Sequence, residues 1–160
     1  MSKRGNSLNP LTKNPKPTGK AVLVSTDEYD TGDLTIDVAR RLIMSRVMVG
    51  GRSAPGSSDY SLLAQKDFGK AAGFSQVQYH QYESGKRLLG VRPALALYAA
   101  YRLTLDWLYL GDPSGLTVRL NEARENLLAQ DPELPQRINE DLQRSANARR
   151  RGKSKKAPRS

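Results

Sequence analysis

Apolar residues along this chain recur at the three- and four-residue spacings of helices, and no alternating apolar run exceeds about five residues, too little for a sheet. Ile36, Ala39, Leu42, Ile43 and Val47, with Arg40, Arg41 and Arg46 between them, predict an amphipathic helix from Thr35 to the Gly50-Gly51 pair. Four short helices follow. One runs from Gln65 to Ala72, and the next from Gln76 to Glu83 with Ser75 as its N-cap. A third carries Pro93 in its first turn and reaches Tyr101; Thr104 caps the fourth, Leu105 to Leu110, which Gly111 and Pro113 stop. Leu116, Leu120, Ala123 and Leu127 form one further stripe, and Asp131-Pro132 opens a last helix carrying Leu134, Ile138 and Leu142.

The expected fold class is all-α. A compact five-helix domain spans 35–111, accessory helices 112–143, and disordered basic tails flank them. The N-terminal arm, 1–34, reads as flexible because Pro10, Pro15, Pro17 and Gly19 interrupt any helix, leaving only Ala21–Ser25 strand-like. Residues 50–61 read as a Gly/Ser/Pro loop, and 144–160 lack an apolar stripe and read as a tail.

Charge sharpens this division. The net +10 is banded: +5 over residues 1–20, −5 over 21–37, +6 over 38–111, −4 over 112–143 and +8 over 144–160. A polyanionic partner is the natural reading, with an anionic membrane surface as competitor. The acidic run from Asp27 to Asp37 reads as a solvated lead-in, the alternative being a segment that folds back on the basic face. Ala94 to Leu110, the most apolar stretch, is interrupted by Arg102 and Asp106 and is too short to span a bilayer. With no apolar signal segment near the N-terminus, a cytoplasmic protein is expected.

The composition also limits chemistry. Zero cysteine excludes disulfides, Fe–S clusters and thiolate zinc sites, and one histidine, His80, excludes a multi-His metal cluster. No convergent acid, base or nucleophile set exists, so neither an enzyme nor a cofactor is expected.

Helix, short Gly-containing turn and second helix form a helix-turn-helix pattern over Gln65–Glu83. Phe68 supplies an apolar anchor, and Gly69, Ala71 and Ala72 let the helices cross closely. Gly73 suits the left-handed conformation of a tight turn. Tyr79 and Tyr82 should pack inward on Phe68 and Phe74, turning Gln76, Val77, His80 and Gln81 outward.

Residues 37–111 resemble the Cro/repressor (XRE-type) helix-turn-helix family of bacterial and phage transcriptional regulators. The matching features are Arg41-Leu42 and Arg46 on the first helix, Gln65 opening the second, Gly73 at the turn and Ser75-Gln76 opening the third. They continue with Tyr82-Glu83-Ser84-Gly85-Lys86-Arg87 and with Leu105-Asp106-Trp107-Leu108-Tyr109-Leu110-Gly111. The resemblance implies a homodimer that places helix 76–83 in the major groove of double-stranded DNA, with half-sites about one helical turn apart. It implies base reading by Gln76, Val77 and Gln81, and backbone contacts from Gln65, Ser75, Ser84, Lys86 and Arg87. Arg46 and Glu83 match a structural ion pair of the family. Expected location is therefore the nucleoid of a bacterial or phage-infected cell.

Two departures stand out. Val47 to Ala64 is about a dozen residues longer than the usual connection, with Arg52 inside it as a further candidate for the DNA backbone. Ala64 also stands where a Ser or Thr cap is usual. Leu105–Leu110 and Leu116–Leu127 are the candidate dimer seams, and the tail from Arg144 is expected to add nonspecific affinity through counterion release. Trp107, Tyr98, Tyr101 and Tyr109 read as packing residues, and His80 as an exposed helix position. Gly152-Lys153-Ser154 ends like a phosphate loop, but Asn147 stands at the first glycine position and no strand precedes it. The rival readings are an antitoxin-like or adaptor protein whose main role is binding a protein partner, and a structured-RNA binder driven by the tails.

Overall fold

The computed structural model describes residues 27–50 and 64–154. The strand-like reading of Ala21–Ser25, most of the 50–61 loop and its Arg52, and the end of the chain lie outside the described residues. Among those described there are seven helices and no strand: α1 (Leu34–Gly50), α2 (Gln65–Ala71), α3 (Gln76–Glu83), α4 (Val91–Tyr101), α5 (Leu105–Leu110), α6 (Val118–Gln130) and α7 (Leu134–Ser154). The all-α expectation holds.

Local chemistry explains most helix ends. Asp33 Oδ1 accepts the Thr35 N–H at 3.0 Å and opens α1, Ser75 caps α3 through the Gln78 N–H at 3.2 Å, and Thr104 caps α5 through the Trp107 N–H at 3.2 Å. Thr117 does the same for α6 through the Leu120 N–H at 3.4 Å. Gly111, at φ 74°, ends α5. Ala64 gives α2 no side-chain cap. Asp131 closes α6 instead of opening the next helix, so α7 starts at Leu134 with buried Pro135 in its first turn.

α1 is central, packing against α3, α5, α6 and α7, while α2 lies on α3 and α4 on α5. One apolar cluster runs through all seven helices, from Ile36 and Leu42 through Phe68, Tyr79, Leu97 and Trp107 to Leu120, Leu127, Ile138 and Leu142. The accessory helices are thus part of the same core. Their stripes, together with Trp107 and Leu108 of α5, face inward, so the two candidate dimer seams are consumed within the protomer.

Two further expectations are corrected. α1 is not amphipathic: Arg40 and Arg41 are both 0 % exposed. The acidic lead-in supplies their partners. Asp27 and Asp30 each pair with both guanidiniums, Asp27 at 2.6 Å to Arg40 and 3.2 Å to Arg41, and Asp37 adds a third carboxylate at 3.3 Å to Arg40. Asn139 of α7 accepts from Arg40 at 3.1 Å and donates to the Tyr29 carbonyl at 2.8 Å. Because an unpaired buried charge is costly, by several kcal/mol, the segment from Asp27 is fixed against α1 and is neither flexible arm nor solvated lead-in.

The second correction concerns 144–160. Residues through Ser154 continue α7 and are not disordered tail. Ala146 extends the Ile138/Leu142 face against the core, and Arg149 Nη2 donates to the Ser84 and Gly85 carbonyls at 3.4 and 3.3 Å. Anchored at that point, the helix continues through Arg150, Arg151 and Lys153, good helix formers that offset the poor propensity of Gly152.

Candidate nucleic-acid interface

α2 and α3 meet at a turn made by Ala72–Ser75, with Gly73 at φ 82° and the Phe74 N–H donating to the Gly69 carbonyl at 2.9 Å. Their crossing is close. A Cβ on Gly69 would lie 2.8 Å from Tyr79 Cβ. Around it Phe68 stacks on Tyr101 at 4.2 Å between ring centroids and tilts against Tyr79 at 5.4 Å, while Phe74 meets Tyr82 edge-on at 6.0 Å. Tyr101 donates its hydroxyl to the Phe68 carbonyl at 2.8 Å. The inward tyrosines expected from the sequence are there, both buried.

The Tyr79 hydroxyl is enclosed without a partner, and burial first, then the Glu83 carboxylate, pushes its pKa well above the ordinary phenol value.

α3 therefore turns a defined face outward. Gln76, Val77 and His80 are exposed, Val77 by 68 %, and Gln81 is half-buried. Glu83, at the end of the same helix, is buried and accepts from Arg46 Nε of α1 at 2.7 Å; Gln65 Nε2 of α2 donates to its other oxygen. The ion pair implied by the family pattern is present. Gln65 joins it, so this side chain is turned to Glu83.

Ser75 is exposed and engaged as the α3 cap. After α3 the chain turns back on itself: the Lys86 and Arg87 N–H groups both donate to the Gln81 carbonyl, at 3.0 and 3.1 Å, leaving two exposed basic side chains beside the helix end. Arg87 also lies over the Tyr82 ring at 5.9 Å. Ser84 departs from expectation. Its hydroxyl is buried without a partner while Arg149 takes its carbonyl, so this geometry does not offer it to a phosphate.

Sequence reading missed the contribution of α7. Arg149 is half-buried against the α3 terminus, and a groove there is lined by Lys86, Arg149, Arg150 and Lys153. The signal was the i, i+3, i+4, i+7 spacing of Ala146, Arg149, Arg150 and Lys153, hidden in a segment with no large apolar residue.

Among the described residues no three His, Asp or Glu side chains converge as a metal site, and no helix is long and apolar enough to cross a membrane. No protein-family model matches the chain, and neither does any curated protein or solved structure.

Proposed function

We propose that this protein is a sequence-specific double-stranded DNA-binding regulator of the XRE type, bacterial or phage-encoded, nucleoid-associated and without catalysis. The observation that carries the reading is the exposed Gln76/Val77/His80 face of α3, held by Glu83 to α1 and α2 and followed at once by exposed Lys86 and Arg87. Glutamine can pair in two hydrogen bonds with adenine and valine can touch a thymine methyl, while the two cations neutralise backbone phosphates. The protein acts as a homodimer in this reading, placing two α3 helices in successive major grooves. Since the α5 and α6 stripes are buried, the apolar material for such a contact is Val91, Leu95 and Tyr98, exposed at i, i+4, i+7 on α4.

The antitoxin-like or adaptor alternative called for an apolar patch on the helices of 116–142. Leu116, Leu120, Leu127, Ile138 and Leu142 instead lie in the core, leaving Val118 exposed there.

Selection from a random duplex library with the full chain tests the proposal. Enrichment of a two-part site whose halves lie about one helical turn apart is expected; recovery of unenriched sequence would overturn it.

A further inference from the structure

The groove between α7 and the end of α3 has a volume of about 530 Å³ and four cationic side chains, Lys86, Arg149, Arg150 and Lys153, along its lining. Asp33 is the one acidic side chain lining it, and its Oδ1 is already accepting the Thr35 and Ile36 N–H groups at 3.0 and 3.4 Å. Four cations against this one carboxylate leave an excess of positive charge facing the opening.

Arg149 is fixed in this position. Its Nη2 alone serves the Ser84 and Gly85 carbonyls, just past the C-terminal end of α3. A guanidinium has five N–H donors, so the others remain for an anion. Arg150 and Lys153 are exposed and share a face of α7 with Arg149. From Arg149 to Lys153 the helix advances about 6 Å, which covers two successive phosphates at about 3.4 Å of rise each. That span suits a row of backbone phosphates better than one small anion. Lys86 belongs both to this groove and to the segment leaving α3, so a strand that crosses the end of α3 continues along α7.

We propose that this groove binds the phosphodiester backbone of the duplex next to the α3 contact, making α7 a second, sequence-independent wall of the interface. The proposal rests on the DNA-binding reading for its place and on the cation array for its chemistry.

The test compares two full-length double variants with equal charge loss. Arg150→Gln with Lys153→Gln removes groove cations and keeps good helix formers, whereas Arg119→Gln with Arg151→Gln removes exposed cations that do not line the groove. Affinity is followed against salt concentration on the selected duplex and on an unrelated duplex of equal length. The groove variant should lower the slope of log K against log salt by about 2 on both duplexes, with sequence preference intact, and the control variant by well under half of that. Equal slope changes in the two variants, or none in the groove variant, would overturn the proposal. If the groove variant loses helix by circular dichroism, Arg150→Gln alone replaces it, with an expected slope change of about 1. Should wild-type protein show no sequence preference at all, the regulator reading fails, and the slopes on the unrelated duplex still decide the groove.

Discussion

Arg46 Nε donates to Glu83 Oε1 at 2.7 Å, joining α1 to α3, and Gln65 of α2 holds the other carboxylate oxygen. The two partners are unequally buried, Arg46 14 % exposed by side chain and Glu83 3 %. Without the arginine the carboxylate stays buried with an amide for company. Without the carboxylate the arginine can turn toward water. Arg46→Met should therefore cost about 3 kcal/mol, and Glu83→Gln, which keeps a hydrogen-bonding group, about 1 kcal/mol. Urea unfolding of the two variants measures both, and equal costs would contradict the stated asymmetry.

How far this architecture could be read in advance depends on whether its cause was local. Ser75, Thr104 and Gly73 act within a few residues of themselves, and they placed α3, α5 and the turn where they are found. The apolar stripes of α6 and α7 were legible too, though thin. The burial of Arg40 and Arg41 was not, because arginine on a helix normally faces water. Besides Asp37, one helical turn away, and Asn139 on α7, the partners are Asp27 and Asp30, at separations of 10 to 14 residues that obey no helical period. The last turns of α7 escaped for a related reason: Arg149 binds backbone carbonyls, which every residue has and no sequence pattern marks.

The same arginine pair gives a stability prediction. Asp27→Ala combined with Asp30→Ala strips two carboxylates from guanidiniums that have no exposed surface. Asp37 remains for Arg40 alone. A loss of about 3–5 kcal/mol is expected, enough to remove much of the stability of a small domain. A midpoint of chemical unfolding within error of wild type would show that the acidic segment is dispensable to the core.

Tyr79 predicts an alkaline limb. In the folded protein its phenol stays protonated to a higher pH than the ordinary value of 10.0, through burial and then the nearby Glu83 carboxylate. This ionisation thus leaves stability untouched below about pH 10 and lowers it as the pH climbs from there toward the raised folded value. Tyr79→Phe deletes the ionisation and an enclosed hydroxyl with no partner. The variant should be more stable by about 1 kcal/mol near neutral pH and should lose less stability on going to high pH. Unfolding midpoints across that range give both effects; a parallel decline in wild type and variant would assign the alkaline loss elsewhere.

Gly69 and Gly152 form a matched pair of helical glycines. Alanine normally stabilises a helix interior by about 0.5–1 kcal/mol over glycine. At Gly69 the added methyl would meet Tyr79 Cβ at 2.8 Å and Cγ at 2.9 Å, whereas at Gly152 nothing lies within 4 Å. Gly69→Ala should destabilise by about 2 kcal/mol through forced separation of α2 and α3, and Gly152→Ala should leave the melting temperature unchanged or slightly raised. A thermal melt should show a lowered midpoint for Gly69→Ala and no lowering for Gly152→Ala; equal lowering in both would contradict the close approach at Gly69.

If the protein reads DNA as proposed, the outward face of α3 should separate base reading from backbone holding. Gln76 and Val77 stand in the first turn, exposed, while Gln81 is half-buried and its own carbonyl is engaged by the Lys86 and Arg87 N–H groups. Substituting Gln76 or Gln81 by Ala should relax discrimination at one base position by about 1–3 kcal/mol and leave affinity for unrelated duplex unchanged. Lys86→Ala and Arg87→Ala should do the reverse, weakening every duplex alike and lowering the salt slope by about 1 each. The geometry makes the two glutamines unequal: Gln76 is exposed in the first turn, whereas Gln81 is half-buried and its carbonyl anchors the 86–87 turn. Selection repeated with each variant reports the loss position by position. Uniform weakening by Gln76→Ala would move that residue to the phosphate-contacting set and leave Val77 and Gln81 to carry sequence choice.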